Sequence, residues 1–511
     1  MKRLTPPFVL LILATLIVLF VALAGWATEP PSFSRSRWLD EQKAWGARFP
    51  EGLPPAKAER IKAFLDSLPV AAPKARAAAG RAVRISQDIL EPNGSAAQPE
   101  TQAEPFIALD PERETHLLAG FQESRFANGG ARALAYAVST DGGKSWNEGL
   151  IPGLTFATGG RFERASDPWV AFGPGGRAYY ASIAFHERAP DNAVMVSASD
   201  DGGQTWGPPV AVRSEAIDFC DKEAVVVDTR ADSPFFGRVY VGWDTVVANQ
   251  RQPALISHSD NGGASFTTQV TIHDRGSNLG VFPVVAPGGV VHAFWARYTF
   301  SGNRLLTVDL QTARSTDGGD TWSPAATVSK LLTAGVFGLR TGENLPSAAV
   351  DPRNGDLYVV WQDQRFSPGV DQIVLAKSTD GGETWSGPRL VSDGPKTAAA
   401  FTPAVAVNAN GLVGVAYYSL RNDPSRRVLV DEYLAVSRDR GQRFGRSVRV
   451  STTSWDVRSA AFAEGFFLGD YQGLAASRVM FHPLWIATLD ASRLEPGVRQ
   501  PDAFTRGIKA R

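Results

Sequence analysis

The sequence predicts an all-β fold, a β-propeller of four-stranded antiparallel blades, and three observations carry that prediction. A short turn is written six times, as "STDGGKSW" from Ser139, "SDDGGQTW" from Ser199, "SDNGGASF" from Ser259, "STDGGDTW" from Ser315, "STDGGETW" from Ser378 and "SRDRGQRF" from Ser437. Its spacing of about 60 residues suits one four-stranded blade with long loops. The composition agrees: 49 glycines, 34 prolines and 13 tryptophans against three methionines describe many tight turns and few helices.

Each copy sits in the same place within its unit. In the fifth, "PSAAVD" (346–351), the turn "PRNG" and "DLYVVWQD" (356–363) form a hairpin, "QIVLAKS" (372–378) enters the motif, and "RLVS" (389–392) leaves it. These are strands A to D of one blade, and the motif is the C–D turn. Asp380 is expected to accept from the turn's own amides, Gly381 and Gly382 to supply positive φ, and Trp385 to pack on the blade.

First strands can be read seven times, at "PFIALD" (105), "PWVAFG" (168), "EAVVVD" (223), "PVVAPG" (283), "PSAAVD" (346), "PAVAVN" (403) and "YQGLAAS" (471). Seven blades follow, with six as the alternative if one unit is misassigned. The last unit lacks the turn motif and needs a partner for its edge, and "RAVRISQD" (81–88) resembles the D strands and is expected to close it.

The remaining segments are of different material. Lys2 and Arg3 precede an apolar run from Phe8 to Ala24, which reads as a signal peptide or a membrane anchor over residues 1–27. Residues 28–78 read as a short helical stem, with Trp38, Trp45 and Phe64 docking it on the propeller of residues 79–495, and residues 496–511 as a tail. Either reading of the N-terminus implies export, to the periplasm or outside the cell. Cys220, the one cysteine, has no intrachain partner.

Lys+Arg and Asp+Glu both total 52, so no basic excess points to nucleic acid. The six histidines show no metal-ligand spacing, and no glycine-rich phosphate loop opens a helix, so no cofactor or metal is expected. A monomer is expected. Chemistry belongs on the edge opposite the motif turns, where the D–A and B–C loops are longer. By register that edge receives Glu104, Asp167, Asp221, Glu223, Glu343 and Asp470, with Arg125, Arg297, Arg365 and Arg421 from strand B ends. Arginines with carboxylates suit an anionic, polyhydroxylated ligand.

The motif resembles the Asp-box, or BNR repeat, Ser-x-Asp-x-Gly-x-Thr-Trp, of the sialidase superfamily, over residues 104 to 490. The third copy departs at Asn261 and Phe266, and the sixth at Arg443 and Phe444. The resemblance implies an exo-glycosidase acting on an acidic sugar, with three arginines, an aspartate acid and a tyrosine nucleophile assisted by a glutamate. Carried over residue by residue, Tyr471 takes the nucleophile's place, Glu343 its base, and Asp167 or Glu123 the acid. Arg125, Arg365, Arg421 and Asp470 are the substrate-binding candidates. The family's Arg-Ile-Pro departs here to Arg84-Ile85-Ser86. Two other classes remain open: a non-catalytic propeller binding glycan or protein, and an envelope scaffold.

Overall fold

The computed structural model describes residues 81–488 except 92, 94, 248–250, 303, 343, 426 and 464, together with residues 500–510. The expected N-terminal helix and stem, and Trp38, Trp45 and Phe64, lie outside the described residues. Within them the chain is built of antiparallel sheets that follow one another along the sequence.

Seven sheets repeat the A–B–C–D order. The first runs Gln102–Leu109, Leu117–Arg125, Ala131–Ser139 and Asn147–Leu150. The second joins it through the single Ala131–Ala165 pair. No sheet closes on itself. Instead the A strands pack on one another in order, and the last, Gly473–Ala476, packs against both Ala400–Val407 of the sixth sheet and Gln102–Leu109 of the first. The seven first strands read from the sequence all fall on A strands.

Aromatic residues on the B strands fill the spaces between sheets. Trp243, Trp295, Trp361 and Trp485 are fully buried at matching positions. Removing such a side chain costs about 3–5 kcal/mol, so the sheets are held by packing, as Cys220 is an unpaired, buried thiol.

Ring completion differs in one respect from the expectation. Val83 and Arg84 do enter the seventh sheet, but they pair with Thr505 and Phe504, not with Met480–Thr488. The strand between is Pro501–Thr505, within the segment expected to be a tail, and Ile508–Lys509 also pairs with Met480 and Phe481. The reason is apolar: Ala503 and Phe504 are buried, and Phe504 stacks on Trp485 at 6.1 Å.

The turn motif forms the C–D hairpin. Ser378 Oγ donates to Asp380 Oδ1 at 2.7 Å, Gly382 N donates to Ser378 Oγ at 2.9 Å, and Thr384 N donates to Asp380 Oδ1 at 3.0 Å. Gly381 and Gly382 take φ of 69° and 82°, as the turn requires. Trp385 is half-buried, donates from Nε1 to Gly382 O and meets Phe294 edge-on at 5.8 Å. In the sixth copy Arg440 replaces the first glycine at φ 60°, and Asp356 holds its guanidinium.

Candidate active site

Five A strands begin with the same irregularity. Their register slips between Ala103 and Phe106, Ser166 and Trp169, Asp221 and Ala224, Leu279 and Phe282, and Phe401 and Ala404. Inside each slip one residue adopts positive φ: Glu104 at 53°, Asp167 at 55°, Lys222 at 51°, Gly280 at 70° and Thr402 at 47°. A bulge inserts a residue that makes no ladder bond, and proline next to it, as in Glu104-Pro105, Asp167-Pro168 and Thr402-Pro403, cannot donate one. Left-handed backbone at a non-glycine residue costs of order 1–3 kcal/mol and persists where its surroundings hold it. Here it brings side chains of three neighbouring sheets together near the ring axis.

A buried ionic network results. Lys222 Nζ lies 2.7 Å from Asp167 Oδ1, 2.8 Å from Asp470 Oδ2 and 3.5 Å from Glu104 Oε1. Arg340 Nε donates to Asp470 Oδ1 at 3.0 Å and Nη2 to Oδ2 at 2.5 Å. Burial alone would raise Asp470, but Arg340 and Lys222 outweigh it and hold the carboxyl well below the usual range. Burial likewise opposes the Lys222 charge, and Asp167, Asp470 and Glu104 reverse that and raise it.

Beside the network the same end holds groups with spare capacity. Arg125, 2% exposed, donates from Nη1 to Gln122 Oε1 at 2.5 Å, and its Nε has no hydrogen-bond partner. Its guanidinium sits 4.1 Å from the centre of the Phe467 ring, which Arg340 also covers at 4.6 Å. Burial lowers Arg125 to about 10, and its nearest carboxylate oxygen, on Glu104, is 4.0 Å away. Asp221, 3% exposed, has an unpartnered Oδ2, and burial pushes it well above the carboxylate range. Arg125, Asp221, Asp167, Lys222, Glu104 and Arg340 line one pocket of about 30 Å³, room for a water or a single carboxylate.

Three of the residues expected at the site, Arg125, Asp167 and Asp470, therefore come together. Tyr471 lies beside them, half-buried between Phe106 and Trp169, its hydroxyl donating to Pro168 O at 3.1 Å. Burial, with Glu104 and Asp167 adding to it, raises the phenol well above its usual value. Glu343 lies outside the described residues.

The others are elsewhere. Glu123 accepts from Gln102 Nε2 at 2.7 Å, in a carboxyl group with Asp88, Glu148 and Asp502 where the first and seventh sheets meet, and burial pushes it up to about 8. Arg365 is held by Asp363 at 2.8 Å and 2.7 Å and donates to Lys330 O. Arg421 pairs with Asp393 at 2.8 Å and lies 3.7 Å over the Tyr433 ring. Arg297 pairs with Asp309 at 3.2 Å.

Two members of the network had not been expected. Lys222 occupies the bulge position that Glu104 and Asp167 mark, so the register could have found it. Arg340 lies on Leu339–Arg340, a two-residue strand parallel to Phe466–Phe467 that belongs to no blade, and no repeat signals it. Among the described residues no group of three or more His, Cys, Asp and Glu is placed to hold a metal ion.

No family model matches the chain. A sialidase from Bacteroides fragilis (strain YCH46) is 35% identical over 153 residues, covering 26% of this chain and 25% of that protein. The match thus spans about a quarter of the curated relative. Among solved structures, the Hadza microbial sialidase Hz136 is 17% identical with a TM-score of 0.44, covering 62% of this chain and 63% of that one. A leech intramolecular trans-sialidase is 12% identical with a TM-score of 0.45, covering 70% and 69%. The α-L-arabinofuranosidase of Fusarium graminearum is 13% identical with a TM-score of 0.44, covering 66% and 92%. Over those 153 residues the chain is thus similar to a curated sialidase, and its repeated turn resembles the Asp-box.

Proposed function

We propose that the axial pocket binds the carboxylate of an acidic sugar and that the protein is a glycoside hydrolase of the sialidase type. The observation that carries this reading is one buried pocket holding both Arg125, with an unused Nε donor, and Asp221, a carboxyl with an unused oxygen that burial pushes up. A buried cation with a spare donor takes up a carboxylate strongly, because no water competes for it. A carboxylic acid kept neutral by burial can protonate a departing glycosidic oxygen. Asp221 thus takes the acid's role in place of Asp167, whose oxygen is engaged by Lys222. Tyr471 is the nucleophile in this reading, and its proton passes to Glu343, the base that the resemblance implies, as the sugar approaches.

One observation favours the second reading, a glycan-binding propeller without catalysis. Tyr471 is neutral as it stands, with its hydroxyl committed to a carbonyl. Assay of the purified chain on fluorogenic sialosides, alongside calorimetric titration with free sialic acid, separates the two. Hydrolysis that falls about a hundredfold or more in Asp221→Asn supports the first. Binding without hydrolysis assigns the second, and neither binding nor hydrolysis removes both. Export, and tethering by the apolar run, form part of the proposal. Recovery of the protein in the cytosolic fraction of its cells contradicts them.

A further inference from the structure

The edge that carries the turn motifs has two pockets at equivalent positions, each between neighbouring C–D turns. One, of about 450 Å³, lies between the second and third turns and is lined by Arg177, Asp200, Asp201, Thr205 and Trp206. Its arginine is already paired with Asp200. The other, of about 440 Å³, lies between the fifth and sixth turns and is lined by Lys377, Thr379, Thr384, Trp385, Arg389 and Gln442, with no carboxylate in its wall.

The surroundings of the second pocket are basic. The sixth turn and its exit read "SRDRGQRFGRSVR" from Ser437, five arginines against one aspartate in a chain of zero net charge. Arg389, Arg438, Arg443 and Arg446 are exposed, and among the described residues no carboxylate pairs with any of them. The acid in this turn, Asp439, is spent on its own loop, accepting from Ser437 Oγ and Arg443 N at 2.8 Å each. Asp356, the nearby buried acid, is taken by Arg440 and by Lys377 at 3.2 Å.

We infer that the cleft between the fifth and sixth turns is a second carbohydrate site, for a carboxylated or sulfated oligosaccharide. The volume lies within the range of small-ligand sites and suits one or two sugar rings. Arg389 and the neighbouring arginines meet the acidic groups, the hydroxyls of Thr379 and Thr384 and the amide of Gln442 meet the sugar hydroxyls, and the flank of Trp385 meets a ring face. A nucleic acid is the poorer fit, because the basic surface is confined to one turn and not spread along a face. This site is remote from the axial pocket by topology, and neither reading needs the other.

The test is calorimetric titration of the full chain with a heparin-derived tetrasaccharide, neutral isomaltotetraose and a thymidine oligonucleotide of matching charge. Binding of the tetrasaccharide alone is expected, weakened about tenfold or more in Arg389→Ala with Arg443→Ala and unchanged in Arg177→Ala. Both altered arginines are exposed, so an unchanged Tm verifies folding, and any sialoside hydrolysis at the axial pocket should be unaltered. An undiminished affinity in the double variant, equal affinity for the oligonucleotide, or no binding of the tetrasaccharide overturns the inference.

Discussion

The two edges of the ring use aspartate in opposite ways. On the turn edge, Thr384 and the turn amides hold Asp380 down at about 2, and Thr321 does the same for Asp317. On the axial edge, burial pushes Asp221 and Glu223 well above the carboxylate range, and Glu104 is raised as well. A carboxylate surrounded by donors is a fastening, whereas one surrounded by protein with unmet oxygens is a reagent. Two arginines of the axial edge differ in the same way: Arg365 is held by Asp363, whereas Arg125 Nε has no partner.

Breaking the axial network should have the largest effect on stability. Asp470→Asn leaves Lys222 and Arg340 buried with too little negative charge, and about 3–5 kcal/mol should be lost in urea unfolding. A loss below 1 kcal/mol means that water reaches these groups. Trp385→Ala should cost less, about 1–3 kcal/mol, because the ring is half-buried, and an unchanged Tm shows that the Phe294 contact contributes nothing.

The contrast also has a sign in pH. Glu123 is raised to about 8 and Asp502 to about 7, so the protonated forms belong to the folded state. Their stabilisation is fully present below the unfolded carboxyl values and is lost as pH rises through 7 and 8. Asp317 and Asp380 behave in reverse: theirs is present above an unfolded value near 4 and is lost as pH falls through about 2. Melting curves should therefore weaken from pH 5 to 8 in wild type and less so in Glu123→Gln. Equal slopes in the two proteins remove Glu123 as the cause.

The smallest effect is expected at the turn itself. Asp380→Asn should cost below about 1 kcal/mol, since Asn261 already fills this position in the third turn and accepts from Ser259 Oγ at 2.8 Å and Ser265 N at 3.0 Å. A much larger loss indicates that the charge, and not the hydrogen bonds, holds the turn.

What the sequence disclosed and what it withheld follow one physical line. The turn, the seven A strands and the entry of residues 81–88 into the last sheet depend on local chemistry and period, which a chain displays openly. Register puts Arg365 and Arg421 at strand B ends, and there Asp363 and Asp393 hold them, a clamp for which Asp363-Gln-Arg365 carries the cue. The same Asp-x-Arg spelling makes clamps at Asp351 with Arg353 and Asp456 with Arg458. Arg340 and the orphan oxygen of Asp221 depend on packing between sheets far apart in sequence, which no local pattern records.

If Arg125 and Asp221 form an acid-receiving pocket at the ring axis, a crystal of the protein soaked with sialic acid should hold the sugar there. The sugar carboxylate should lie within hydrogen-bond distance of Arg125 Nε, with Asp221 Oδ2 facing the anomeric oxygen. A sugar seated instead against Arg365 or Arg421, or an axial pocket left empty at saturating ligand, would contradict it.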